Sequence, residues 1–112
     1  MRAIKRRALP LAAATLLLFG IGAYAGAAAP DAVTIANFAF SPTPLTVASG
    51  AKVTWTNTDD EPHTAVSADG GKTFKSAALD TDDKFSFTFD KPGTYKYFCS
   101  IHSYMSGTII VK

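Results

Sequence analysis

One stretch near the C-terminus, YFCSIHSYMSG (Tyr97–Gly107), holds the only cysteine of the 112-residue chain. His102 follows Cys99 by three residues, and Met105 follows His102 by three. A lone cysteine cannot close an internal disulfide, so it either pairs with another molecule or serves as a free thiol. The stretch starts at the end of one strand-like run and finishes at the start of another. It therefore predicts a loop between two strands that carries three soft side chains.

The segments around this stretch alternate apolar and polar residues, which predicts β-strands with one face on a core. Turn signals rich in glycine and proline separate these segments. Many short strands with regular turns indicate a β-sandwich or barrel, and no helix longer than two turns is expected. The predicted strands are Val33–Ile35, continued by Phe38 and Phe40 past a bulge, then Leu45–Val47, Val53–Thr56, Phe85–Phe89, Tyr95–Cys99 and Thr108–Val111.

The first 29 residues have the composition of a targeting segment. Four basic residues lie within the first seven positions, and an uncharged run rich in Ala and Leu follows from Ala8 to Ala29. A basic head, an apolar stretch and a small-residue exit are typical of a secretory signal peptide. An uncleaved membrane anchor is the alternative, since the run is long enough to span a bilayer. We therefore predict a signal segment at residues 1–29, one domain at residues 30–112 and a periplasmic location.

Removing this segment changes the charge of the protein. The whole chain has 11 basic and 9 acidic residues, a net charge of +2. Taking away the four basic residues of the head leaves 7 basic against 9 acidic residues, a net charge of −2. The apparent basicity belongs to the targeting segment and gives no support for binding of nucleic acid.

The soft side chains of the domain predict a metal site. His63 and His102 are the only histidines, and Met105 is the only methionine besides Met1. Each residue alone is more often structural, but a sandwich brings loops at one end together, so one site could collect all of them with Cys99. Two imidazoles, a thiolate and a weak thioether ligand are the set of a blue-copper electron-transfer site. Zinc fits less well, because a thioether is a poor zinc ligand.

Five motifs resemble those of the cupredoxin family, in the group of plastocyanin, pseudoazurin and amicyanin. The resemblance covers residues 33–112, and the Cys-x-x-His-x-x-Met spacing is that of amicyanin. The motifs are FAFSP at 38–42, VTWTN at 53–57, EPHT at 61–64, PGTY at 92–95 and YFCSIHSYM at 97–105.

The resemblance implies an all-β, Greek-key β-sandwich of about seven to eight strands. It also implies that His63, Cys99, His102 and Met105 bind one copper ion that cycles between Cu²⁺ and Cu⁺. The expected activity is one-electron transfer between redox proteins, such as a c-type cytochrome or a periplasmic dehydrogenase, by a monomer that is not an enzyme and has no small-molecule substrate. Copper binding for delivery on the same fold is the alternative.

Three residues depart from the family pattern. Thr64 stands where many relatives have Asn, and we expect it to tie the two ligand loops less firmly. Ile101 replaces a proline, and its N–H is expected to donate to the thiolate and raise the reduction potential. Ser103 replaces a second proline, which predicts a less rigid loop.

Two surface features bear on partners. An apolar rim of Pro62, Ile101 and Tyr104 is expected around His102, the ligand through which the family exchanges electrons. Acidic residues in two loops are a candidate surface for steering a basic partner. These acidic residues are Asp59, Asp60, Glu61, Asp80, Asp82 and Asp83.

Overall fold

Eight β-strands form two four-stranded sheets in the computed structural model, which describes residues 31–112. The predicted signal segment, residues 1–29, lies outside this range. Residues 31–112 contain no helix, and hence none that is long and apolar enough to cross a membrane. The strands are β1 (Ala32–Ala36), β2 (Ala39–Ser41), β3 (Leu45–Val47), β4 (Ala51–Asn57), β5 (Val66–Ser67), β6 (Lys84–Phe89), β7 (Gly93–Phe98) and β8 (Ser106–Val111).

Both sheets are mixed. The first has the strand order β2-β1-β4-β6, with β1 and β4 parallel, and the second has the order β3-β8-β7-β5, with β3 and β8 parallel. Sequential strands pair directly in only two places, β1 with β2 and β7 with β8; every other connection crosses from one sheet to the other. This confirms the predicted Greek-key sandwich. Strand β5 was not predicted, because two residues are too few to show an alternating pattern.

The start of the fold differs from the prediction. Phe38 does not continue the first strand past a bulge, because Ala36 pairs with Ala39 and closes a β-hairpin with a two-residue turn. Asn37 and Phe38 form that turn, with φ angles of 53° and 59°. Two successive positive φ values are the pattern of a type I′ turn, whose twist matches that of the flanking strands.

Aromatic rings fill the space between the sheets. Trp55 of β4 is fully buried and packs against Phe74, Phe85 and Tyr97 at centroid distances of 5.3 to 5.6 Å. Phe89 is buried, whereas Phe85 and Phe87, its neighbours at alternate positions of β6, are only partly buried. Burying a large aromatic side chain stabilises a fold by roughly 2–3 kcal/mol, so this cluster anchors β4 to β7 across the sandwich.

The metal-binding candidates lie at one end of this core. The register of β7 against β8 pairs Phe98 with Ser106 and Tyr97 with Gly107, so residues 99–105 form the connection between these strands. The Tyr97 ring lies directly over Gly107, where a Cβ atom would collide with it. The absence of a side chain at Gly107 therefore keeps the two strands in this register. The segment after β4 reaches the same end and brings His63 to it.

Candidate metal centre

Three side chains from two loops converge on one point. His63 belongs to the His63 loop, residues 58–65, while Cys99 and His102 belong to the Cys99 loop, residues 99–105. Cys99 Sγ lies 3.9 Å from Nδ1 of His63 and 3.9 Å from Nδ1 of His102. The ligand atoms of all three lie within 4.8 Å of one another. The sequence prediction that a distant histidine joins the Cys99 loop is therefore confirmed in its geometry.

The Cys99 sulfur is buried and surrounded by donors. The backbone N–H groups of Thr64 and His102 each donate to Sγ at 3.4 Å. Burial raises the pKa of the Cys99 thiol, but these two amides and the His63 ring outweigh burial and lower the pKa to about 6. The thiol is thus ready to become a thiolate, the form that binds metals.

The Ile101 amide contributes to lowering the Cys99 pKa, as predicted, but it is not the strongest donor to the sulfur. The N–H group of His102, one residue further on, makes the hydrogen bond to Cys99 Sγ. Among the groups that lower the Cys99 pKa, the Ile101 amide makes the smallest contribution. The His102 amide is therefore the main donor from this loop to the sulfur.

A carboxylate orients the His63 ring. His63 is fully buried, and its Nε2 lies 2.9 Å from Oδ2 of Asp59. A ring that donates its Nε2–H hydrogen bond to a carboxylate has the Nδ1 lone pair free for a metal. A carboxylate is a usual partner for the second ring nitrogen of a metal-binding histidine. Burial raises the pKa of Asp59, but hydrogen bonds from Phe38 and Asn37, followed by His63, lower it below its ordinary value.

The Cys99 loop closes on itself. The Cys99 N–H donates to the Met105 carbonyl at 3.1 Å, and the Met105 N–H donates to the His102 carbonyl at 2.9 Å. These bonds place the buried Met105 beside the other candidates, whereas His102 is half-buried. The two histidines therefore differ, because one is enclosed by the protein and the other reaches towards solvent.

Thr64 ties the two loops together. Its hydroxyl oxygen accepts the Ser100 N–H at 2.7 Å and lies 2.8 Å from the Ser100 hydroxyl. The same hydroxyl is 3.8 Å from Cys99 Sγ. A short hydroxyl side chain is sufficient because the two loops are already in contact at this point.

The geometry fits a tetrahedral or trigonal metal ion. With metal–ligand bonds of about 2.0–2.3 Å, the ligand–metal–ligand angles of these two geometries separate the sulfur and nitrogen atoms by roughly 3.6–3.8 Å. This is close to the two observed sulfur–nitrogen distances. His63, Cys99, His102 and Met105 are arranged as a type 1 copper site, in which the thioether is the weak fourth ligand.

The surface around His102 is apolar. Ile101 and Tyr104 are 46% and 73% exposed, Phe38 is 37% exposed and Pro62 is half-buried. The Phe38 ring lies 5.0 Å from the His102 ring, so it belongs to this surface although the sequence indicated only a strand residue. Asp59 was also missed as a support of His63, because nothing in Asp-Asp-Glu separates it from its acidic neighbours.

The two acidic loops form one patch beside this surface. The Thr81 hydroxyl donates to the Asp59 carbonyl, and the Asp82 N–H donates to the Asn57 carbonyl, each at 2.6 Å. These bonds hold residues 58–61 against residues 80–83. The exposed acidic residues of the two loops are therefore neighbours in space, whereas the Asp59 carboxylate is turned inward to His63.

An all-β sandwich with this ligand group at one end defines a type 1 copper protein. The chain belongs to the cupredoxin family, since the family described as "Cupredoxin-like domain" matches residues 9–111. It is 34% identical over 83 residues to amicyanin-alpha of Methylorubrum extorquens, an alignment that covers 71% of this chain and 70% of the relative.

Solved structures agree with this membership. A purple cupredoxin from Nitrosopumilus maritimus is 33% identical, with a TM-score of 0.67, covering 72% of this chain and 98% of that one. A methionine-to-alanine variant of amicyanin, solved with Cu(I), is 30% identical with a TM-score of 0.68, covering 79% of this chain and 88% of that one.

Proposed function

We propose that this protein is an exported one-electron carrier in which His63, Cys99, His102 and Met105 bind one copper ion. The observation that carries the proposal is the convergence of one lowered-pKa thiol and two imidazoles on a single point. A copper ion held there supplies a Cu(II)/Cu(I) couple. Fixed ligands favour rapid exchange, because little has to move when the charge on the metal changes.

The surroundings support transfer of electrons rather than catalysis. Both histidines of the chain already belong to this group, so none is left to build a second copper centre. The sulfur is buried and His63 is fully enclosed, which leaves no route for a substrate to reach the metal from that side. We infer that the protein is not an enzyme.

The half-buried His102 is the proposed exit for the electron. The apolar surface of Phe38, Pro62, Ile101 and Tyr104 around it suits a short-lived contact, since weak redox encounters bury little area. The acidic patch beside it would attract a partner with a basic face and raise the association rate at low salt. A c-type cytochrome or a periplasmic dehydrogenase has the required chemistry.

Copper titration of the purified protein tests the ligand set. We expect Cu(II) to produce an intense visible thiolate-to-copper band, and ascorbate to bleach it reversibly. A protein that stays colourless with Cu(II), or that takes up zinc and refuses copper, would contradict the proposal. Rapid loss of Cu(I) to a chelating acceptor, without electron exchange, would instead favour copper delivery.

Stopped-flow mixing with reduced cytochrome c tests the partner surface. We expect the bimolecular rate to fall steeply between low salt and 0.15 M salt, where the Debye length is about 8 Å. Exchanging Asp82 for Asn should flatten this dependence, whereas exchanging the remote Asp90 should leave it unchanged. A rate that does not depend on salt would refute steering by the acidic patch.

The export proposal rests on the N-terminal composition alone. Expression of the full chain in a Gram-negative host, followed by mass spectrometry of the periplasmic fraction, should give a protein that has lost its basic head. Recovery of the intact chain in the membrane fraction would support the anchor instead.

A further inference from the structure

The β1–β2 turn contains a residue that turn chemistry does not favour. Asn37 and Phe38 both have positive φ angles, 53° and 59°. Type I′ turns prefer Asn followed by Gly, and a bulky aromatic residue with positive φ is an outlier. Strained backbone of this kind persists where neighbouring groups hold it, and it concentrates at functional sites.

One carboxylate holds the turn. Asp59 Oδ1 accepts the Asn37 N–H at 2.7 Å, and Asp59 Oδ2 accepts the Phe38 N–H at 2.9 Å. The same Oδ2 atom lies 2.9 Å from His63 Nε2. The Asp59 side chain is only 14% exposed, and both of its carboxylate oxygens have hydrogen-bond partners. A single side chain thus connects a strained turn to a copper-binding imidazole.

The turn in return places its aromatic ring against both imidazoles. The Phe38 ring lies 5.2 Å from the His63 ring at 86°, and 5.0 Å from the His102 ring at 87°. The two imidazoles are 4.9 Å apart. Phe38 therefore fills the wedge between two ligands that come from different loops, and its edge-on geometry is favourable with both.

We propose that Asp59 and Phe38 are positioning residues that fix the spacing and orientation of both imidazoles before a metal arrives. Asp59 orients His63 and secures the turn, and the secured turn presses Phe38 between the rings. This inference rests on the proposed copper site, and it adds that the β1–β2 turn belongs to the centre although it supplies no ligand.

The first test uses the metal-free protein, so it does not depend on copper. Hydrogen exchange by NMR should show the amide protons of Asn37 and Phe38 exchanging at least about tenfold faster in Asp59→Ala than in the wild type, since each loses its only acceptor. Asp90→Ala is the matched control, because it removes the same charge at an exposed and remote position. Equal exchange rates in both variants would overturn the role of Asp59.

The second test separates positioning from stability of the turn. Phe38→Gly and Phe38→Ala both remove the ring, but Gly relieves the strain and Ala does not. We expect metal-free Phe38→Gly to be the more stable variant, while both bind Co(II) about 10–100-fold more weakly than the wild type, as loss of an outer-shell contact typically does. Both should also shift the visible charge-transfer band of the copper form.

The outcomes distinguish this inference from the proposed function. Suppose that the wild type binds copper. If Phe38→Gly then binds Co(II) within twofold of the wild-type affinity, and its charge-transfer band is not shifted, Phe38 has no positioning role. If affinity follows stability, with Gly above Ala, Phe38 acts through the fold alone and the inference fails. If the wild type takes up no copper, the proposed function fails, and the exchange rates of the metal-free protein decide the role of Asp59.

Discussion

The two loops that form the metal centre are built in opposite ways. The His63 loop is held from outside: His63 exchanges both backbone hydrogen bonds with Leu79, and the buried Asn57 at the end of β4 bonds to Leu79 and Glu61. The Cys99 loop is held mainly by hydrogen bonds within the loop itself, between Cys99, His102 and Met105. One loop therefore gives a fixed, enclosed ligand, and the other gives an accessible ligand with exposed apolar neighbours.

This contrast explains how one site can be both rigid and accessible. Rigidity at His63 comes from polar contacts to distant segments, which bury the ring completely. Accessibility at His102 comes from a loop so short that Ile101 and Tyr104 have no core to enter. An electron carrier needs both properties, because the metal has to keep its geometry while a partner comes close to one ligand.

The largest expected effect is loss of the thiolate from the Cys99 loop. Cys99→Ser removes the only sulfur that two backbone amides and two imidazoles approach, and a hydroxyl is not ionised at neutral pH. We expect the intense visible band to disappear completely, as measured by absorption after addition of Cu(II). Circular dichroism should remain that of a β-protein. A variant that kept the band would place the thiolate ligand elsewhere, which no other residue of this chain allows.

The next effect should come from the support of the His63 loop. Asn57 is fully buried, donates to the Glu61 and Leu79 carbonyls and accepts the Asp59 N–H. Asn57→Leu leaves the Glu61 carbonyl and the Asp59 N–H without partners, while the Leu79 carbonyl keeps the His63 N–H, and it should reduce the free energy of unfolding by roughly 2–4 kcal/mol. For a domain of this size, that lowers the midpoint of thermal unfolding by about 10–20 °C, measurable by circular dichroism.

Thr58 offers a matched control in the same loop. Its hydroxyl donates to the Ile35 carbonyl at 2.8 Å, but its own N–H donates to that carbonyl at 2.9 Å. Thr58→Val therefore leaves the carbonyl partnered and should cost less than about 1 kcal/mol. If Thr58→Val destabilised the protein as much as Asn57→Leu, the His63 loop would not depend on its buried amide.

The difference between local contacts in the Cys99 loop and long-range contacts around the His63 loop explains what the sequence could predict. The Cys99 loop carries its information in local spacing, so its ligands and its flanking strands were correctly placed. Asp59 and Phe38 act through hydrogen bonds and ring contacts across 21 to 22 residues or more, and no local pattern encodes such contacts. The sequence predicts a strand residue at Phe38, because alternation with Phe40 is the same for a strand and for a hairpin turn. The Thr64–Ser100 tie, across 36 residues, was missed for the same reason.

A smaller effect should follow from cutting the tie between the two loops. Thr64→Val keeps the shape of the side chain and leaves the Ser100 N–H without its acceptor. We expect the metal-free protein to lose about 1–2 kcal/mol in urea unfolding. Thr64→Ser retains the hydroxyl and should lie near the wild type. If Val and Ser behaved alike, the methyl group rather than the hydroxyl would be what position 64 needs.

The smallest effect should come from placing a proline in the Cys99 loop at position 101. Ile101→Pro removes an N–H group that contributes least to lowering the Cys99 pKa, while the His102 amide keeps its hydrogen bond to Sγ. Cyclic voltammetry should therefore show a reduction potential changed by less than about 60 mV, the shift that a tenfold change in relative binding of Cu(II) and Cu(I) produces for one electron. A fall well beyond this value would mean that the Ile101 amide, and not that of His102, stabilises the thiolate charge.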